Sequence, residues 1–129
     1  MELKVGIKNE CRITVTDSLT AHALGSGLLP VFSTPSLVAL MERTCAESVQ
    51  VCLTKESVTV GISLDVEHTS ATPVGVEVRC ESELVEIDRR MLVFRVTAYD
   101  PAGEIGRGTH KRFIVDSERF MEKVKTKLK

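Results

Sequence analysis

Residues 34–53, TPSLVALMERTCAESVQVCL, decide the fold class. A hydroxyl residue followed by proline is a helix start, with the hydroxyl as cap and proline's fixed φ suited to the first helical position. From there Leu37, Leu40, Met41, Cys45, Val49 and Cys52 recur along one stripe. Val38, Ala39 and Ala46 carry the apolar surface around most of the remainder. A helix apolar on most sides is one that the rest of the chain covers. The spacing predicts a buried helix from 34 to about 53, with Thr34 as its cap.

Downstream, the hydrophobic period shortens to two residues. Val58, Val60, Ile62, Leu64 and Val66 alternate with Thr59, Gly61, Ser63, Asp65 and Glu67. That is a strand with the first set facing inward, and His68 falls on the same inner face at its end. Thr72-Pro73-Val74-Gly75 turns the chain into a long strand through Val76, Val78, Cys80 and Ser82. Its alternation slips at Leu84-Val85, as a bulge makes it do. Strands over 91–99 and 104–115 are joined by Asp100-Pro101-Ala102-Gly103, where proline presets one position and glycine permits positive φ at another.

Asp116-Ser117 starts a short C-terminal helix with Phe120, Met121, Val124 and Leu128 on one face and lysines on its solvated side. Upstream, Cys11, Ile13 and Val15 mark a strand over about 9–17. Residues 18–33, with Gly25-Ser26-Gly27 and Pro30, read as an irregular loop of the length used for lids and binding segments. One helix followed by a run of strands is α+β. A curved antiparallel sheet wrapped around one long apolar helix is the hot-dog arrangement, which pairs through a sheet edge into a homodimer.

The 129 residues carry 17 basic and 18 acidic side chains, a formal charge of -1, and read as one domain over 1–129. This balance supplies no general attraction to nucleic acid or to a membrane surface. No apolar run approaches the roughly 20 residues that span a bilayer. Met1-Glu2-Leu3-Lys4 lacks the apolar stretch of a secretory signal, so a cytoplasmic protein is expected. Cys11, Cys45, Cys52 and Cys80 stand singly, without metal-ligand spacing, and are expected as reduced core thiols. Metal and cofactor are expected to be none.

Five residues stand out. His68 faces the apolar interior from a strand end, where a structural histidine bonded to a carbonyl is the commoner role. Glu42 sits among Leu40, Met41 and Cys45, and an unpaired carboxylate is costly there. A cap accounts for Thr34 by itself, but a helix N-terminus also suits the polarisation of a carbonyl. Gly61 interrupts the strongest strand, as a bulge or as a place of close approach by a ligand. Arg112 lies on the last strand, where a solvated arginine is the ordinary case. His22 and His110 carry no placement argument, and no phosphate loop, dinucleotide fingerprint or nucleophile elbow occurs.

The stretch from Thr34 through Leu40-Met41-Glu42 to Cys45 resembles the start of the central helix in the fluoroacetyl-CoA thioesterase family. The resemblance continues over Val66-Glu67-His68-Thr69-Ser70-Ala71-Thr72-Pro73-Val74-Gly75 and Glu104-Ile105-Gly106-Arg107-Gly108-Thr109-His110-Lys111-Arg112, and runs from about 31 to the C-terminus. It implies a catalytic triad of Thr34, Glu42 and His68, with Gly61 and Arg112 near the acyl group. It further implies hydrolysis of a short acyl-CoA thioester by a hot-dog dimer, with neither metal nor redox cofactor. Where the family has aromatic residues over the acyl pocket, this chain reads Gly25-Ser26-Gly27-Leu28-Leu29-Pro30, with no aromatic before Phe32.

The leading expectation is therefore an acyl-CoA thioesterase in which His68 is the general base. Thr34 and Glu42 both remain open as the nucleophile. The alternative is a non-catalytic acyl-CoA or acyl-carrier binding module on the same fold. A hydratase on the same fold is the weaker third reading.

Overall fold

The computed structural model describes residues 1–128. Its elements are β1 (Lys8–Thr14), α1 (Ala21–Leu24), α2 (Thr34–Gln50), β2 (Ser57–His68), β3 (Glu77–Asp88), β4 (Met91–Asp100), β5 (Gly103–Asp116) and α3 (Ser117–Lys125). The five strands form one antiparallel sheet in the order β1-β3-β4-β5-β2. Helix α2 packs on one face of this sheet and touches all five strands. Leu37, Leu40, Met41, Cys45 and Val49 pack in one cluster with Val78, Cys80, Leu84, Phe94, Val96, Ala98 and Ile105. Each large side chain so buried contributes about 1.5–3 kcal/mol, far more than helix propensity supplies.

The helix is less enclosed than its composition suggests. Ala39 and Arg43 are exposed, and the helix ends at Gln50, so Val51 turns outward and Cys52 is half-buried. Apolar Val51 is 65% exposed. Cys11, Cys45 and Cys80 are buried free thiols.

Strand β2 departs from its simple alternation. The ladder to β5 pairs Gly61 with Arg112 and Ser63 with Lys111, so Ile62 is an extra residue in a bulge. A single inserted residue inverts the facing of everything on one side of it. Thr59 and Gly61 face the helix before the bulge, whereas Leu64, Val66 and His68 do so after it. Val58 and Ile62 consequently lie exposed on the outer side, contrary to the expected inward face. The bulge expected at Leu84-Val85 is present, between Leu84 and Glu86.

The segment over 18–33 is more ordered than a bare loop. A 3-10 turn, Asp17–Leu19, precedes α1, whose cap Thr20 accepts a hydrogen bond from Ala23 N–H. Bridges Thr20↔Phe32 and Val31↔Pro73 tie the segment down, and Phe32 is fully buried. Leu28 and Leu29 at its tip remain exposed. At the other end, Asp116 caps α3 by accepting from Arg119 N–H, and Met121 and Val124 stay largely exposed on it.

Candidate active site

Ser33, not Thr34, caps the central helix. Ser33 has extended backbone angles, and its Oγ accepts from Ser36 N–H at 3.1 Å. Its carbonyl takes the Leu37 N–H, and Pro35 has none to offer. Two consequences follow for Thr34, the first helical residue. Its hydroxyl is free of capping duty and lies 2.8 Å from His68 Nδ1. The helix start is also mostly satisfied internally, so an oxyanion would meet few free first-turn donors there.

The end of β2 delivers His68 to this position. Its ring stands edge-on to Phe32, with centroids 6.3 Å apart, and its Nε2 is buried without a hydrogen-bond partner among the described residues. Burial holds the imidazole below the ordinary histidine value, opposed in part by the Ser70 backbone. A neutral imidazole can accept the Thr34 hydroxyl proton, which is the requirement for a general base. A cavity of about 300 Å³, lined by Ala21, Val31, Phe32, Thr34, His68 and Ser70, opens beside the pair.

Two turns along α2 a second group assembles. Arg112 is 8% exposed, which replaces the solvated arginine that strand position alone would suggest. Its Nε donates to Thr59 Oγ1 at 2.7 Å and its Nη2 to Thr59 O at 2.9 Å. Nη1 lies 3.1 Å from His110 Nε2 and 4.0 Å from Glu42 Oε2. Burial works against the Arg112 charge, and the Glu42 carboxylate is the first group to offset it. Two features accommodate a glutamate beside Leu40 and Met41: its side chain is 44% exposed, and its partner Arg112 comes from β5.

Gly61 belongs to this second group. A Cβ on it would lie 2.8 Å from Glu42 Oε2, 3.2 Å from His110 Cε1 and 3.3 Å from Arg112 Nη1. The close approach explains the glycine, and the bulge sits next to it at Ile62. Gly61→Ala is expected to destabilise by about 1–3 kcal/mol, because the Glu42 tip is 44% exposed and can yield whereas the buried His110 and Arg112 must give way by a few tenths of an ångström. It should also displace the carboxylate and lower turnover about tenfold or more. Thermal melting beside steady-state kinetics checks this, and unchanged kcat would remove Gly61 from the site.

The five expected residues thus form two groups, Thr34 with His68 and Glu42 with Gly61 and Arg112. Glu42 has no hydrogen bond to Thr34 or His68 within the chain. Sequence reasoning missed Ser33, Thr59 and His110. His110 and Arg112 are two apart on one strand and therefore share a face, a signal that could have linked them.

A family model, FlK, fluoroacetyl-CoA-specific thioesterase, matches residues 15–118. The chain belongs to the fluoroacetyl-CoA-specific thioesterase family. Among its relatives, the fluoroacetyl-CoA thioesterase of Streptantibioticus cattleyicolor is 39% identical over 97 residues, which span 75% of this chain and 70% of that protein. A solved structure of the fluoroacetyl-CoA thioesterase FlK superposes with a TM-score of 0.93 at 32% identity, covering 98% of both chains. A hot-dog-like protein from Thermanaerovibrio acidaminovorans superposes with a TM-score of 0.91 at 21% identity, covering 98% of this chain and 94% of that one. The fold of this family member is the hot-dog arrangement. Its Thr34–His68 pair lies within the matched span, as do Glu42, Gly61 and Arg112.

Proposed function

We propose that the chain hydrolyses short acyl-CoA thioesters as a cytoplasmic homodimer, with coenzyme A entering as part of the substrate and no resident metal or cofactor. The observation that carries this reading is the 2.8 Å contact between Thr34 Oγ1 and His68 Nδ1 at the mouth of a small cavity. His68 takes a proton from the Thr34 hydroxyl, or from a water in its place, as that oxygen attacks the thioester carbonyl. The tetrahedral intermediate collapses, the C–S bond breaks, and the imidazolium returns the proton to the departing coenzyme A thiolate. If Thr34 attacked, water then releases the acid from the threonine ester by the same base. Glu42, oriented by Arg112, acts on the reacting groups of a site completed by the second subunit.

Assembly is supported by β2, an edge strand whose outer side shows Val58 at 36% and Ile62 at 52% exposure. Unpaired edges with apolar side chains are sites for pairing with another strand. No helix among the described residues is long and apolar enough to cross a membrane.

Release of free thiol from acetyl-, fluoroacetyl-, propionyl- and longer acyl-CoAs tests the reading. Hydrolysis of the short members is expected, and no thiol release from any of them would favour the non-catalytic binding module. Leu28 and Leu29 are exposed rather than folded over the cavity, and Phe32 is already buried against His68. Without an aromatic lid, kcat/KM for fluoroacetyl-CoA is expected to exceed that for acetyl-CoA by less than about tenfold, since small acyl differences in a pocket discriminate weakly. A much larger preference would show that the lid aromatics are unnecessary.

A further inference from the structure

The buried imidazole of His110 has no part in the reaction as described above, yet its two contacts leave it a single protonation state. His110 is 1% exposed, on β5 beside the Phe94 ring. Its Nδ1 lies 2.8 Å from the Ser63 carbonyl, and its Nε2 lies 3.1 Å from Arg112 Nη1. A carbonyl only accepts, so Nδ1 must carry the hydrogen; a guanidinium only donates, so Nε2 must be bare. Burial first, and then the Arg112 charge, hold this imidazole below the ordinary histidine value, against the Ser63 carbonyl and Glu42.

We infer that His110 is a positioning residue for the acyl-CoA site, whose bare Nε2 holds Arg112 Nη1 at Glu42 and whose Nδ1–H clamps the bulge beside Gly61. The guanidinium would otherwise be held only along the edge that faces Thr59. With Nε and Nη2 both bonded to Thr59, the Nη1 corner is the one that reaches the carboxylate, and His110 is its buried acceptor. The Ser63 contact comes from the residue that resumes the ladder after Ile62, so one side chain ties the bulge to the ion pair. An apolar ring of similar size would fill the same space and do neither.

The activity arm of the test rests on the thioesterase reading, and the spectroscopic arm does not. His110→Asn reaches only the Nδ1 position, so it keeps a donor for Ser63 and loses the acceptor for Arg112. His110→Gln can place an oxygen near the Nε2 position and restore that acceptor. On an acyl-CoA that the unaltered protein hydrolyses, kcat is expected to fall about 10- to 100-fold in His110→Asn and to recover in part in His110→Gln, which regains the acceptor for Arg112 but not the donor to Ser63. Adding Arg112→Ala to His110→Asn should cost no more than Arg112→Ala alone, because the two act as one unit. Equal losses in Asn and Gln that follow melting temperature, or full additivity with Arg112→Ala, would reduce His110 to a packing residue and overturn the inference. In the unaltered protein, long-range ¹⁵N–¹H spectra of the imidazoles should show the Nδ1–H tautomer for His110. An Nε2–H tautomer or an imidazolium at neutral pH would overturn the inference even if every variant failed to fold. Absence of hydrolysis by the unaltered protein alongside the expected tautomer would place the failure in the thioesterase reading, and the positioning role in catalysis would fall with it.

Discussion

His68→Ala is expected to lower acyl-CoA hydrolysis by about 10²- to 10⁴-fold, the range a positioned general base supplies. The fold should survive. His68 is half-buried, its side chain meets the exposed Thr34 hydroxyl, and its Nε2 is a buried nitrogen without a hydrogen-bond partner among the described residues. Truncation removes an edge contact with Phe32 but also removes an unsatisfied polar atom, so the two effects oppose each other. A stability change of at most about 1–2 kcal/mol follows, some few degrees in melting temperature for a domain of this size. Thiol release and thermal melting on the same preparation decide the matter. Undiminished hydrolysis would take His68 out of the mechanism, and collapse of the fold would make it a structural histidine.

Mixing two dead proteins is expected to restore activity. Thr34 and Glu42 are eight residues apart on α2, about 12 Å along its axis at 1.5 Å per residue. Within the chain Thr34 reaches His68, and Glu42 reaches Arg112 on another strand. An isologous dimer built on the β2 edge would run a second copy of α2 alongside in the opposite sense, and could bring the Glu42 group of one subunit to the Thr34–His68 pair of the other. Thr34→Ala and Glu42→Ala should each be nearly inactive alone. After subunit exchange, half the dimers are mixed and each regains one of two sites, so about a quarter of the full activity should return. No recovery despite proven mixed dimers would place all three residues in a single chain.

The elements most legible in the sequence were those with a strong local signature. The Thr34–Gln50 helix, the bulge after Leu84 and the Asp100–Gly103 turn are carried by helical spacing, a broken alternation and a proline–glycine pair. The candidate site residues came as a set from family resemblance, and Glu42 and His68 stood out also as polar groups in apolar company. Their grouping was not legible. Thr34 reads as the cap because a hydroxyl precedes proline, but Ser33, one residue earlier, has the extended backbone and the bond to Ser36. Alternation in β2 looked unbroken because apolar residues occupy both the inner positions after Ile62 and the outer positions before it.

What the sequence by itself determined is the class of each segment, the α+β order and the identity of the polar residues that local pattern cannot explain. These follow from periodicity, capping and turn chemistry, which act over a few neighbouring residues. Only the tertiary structure decided which face Gly61 takes, what Arg112 bonds to and why Thr34 is free to meet His68. A strand's facing is set by its ladder, and the β2–β5 ladder skips Ile62, with Arg112 opposite Gly61 and Lys111 opposite Ser63. Apart from His110, its neighbour on β5, the buried Arg112 charge finds its partners on other elements, Thr59 on β2 and Glu42 on α2. Such pairings join residues up to 70 positions apart, as Arg112 and Glu42 are, and no pattern along the chain encodes them.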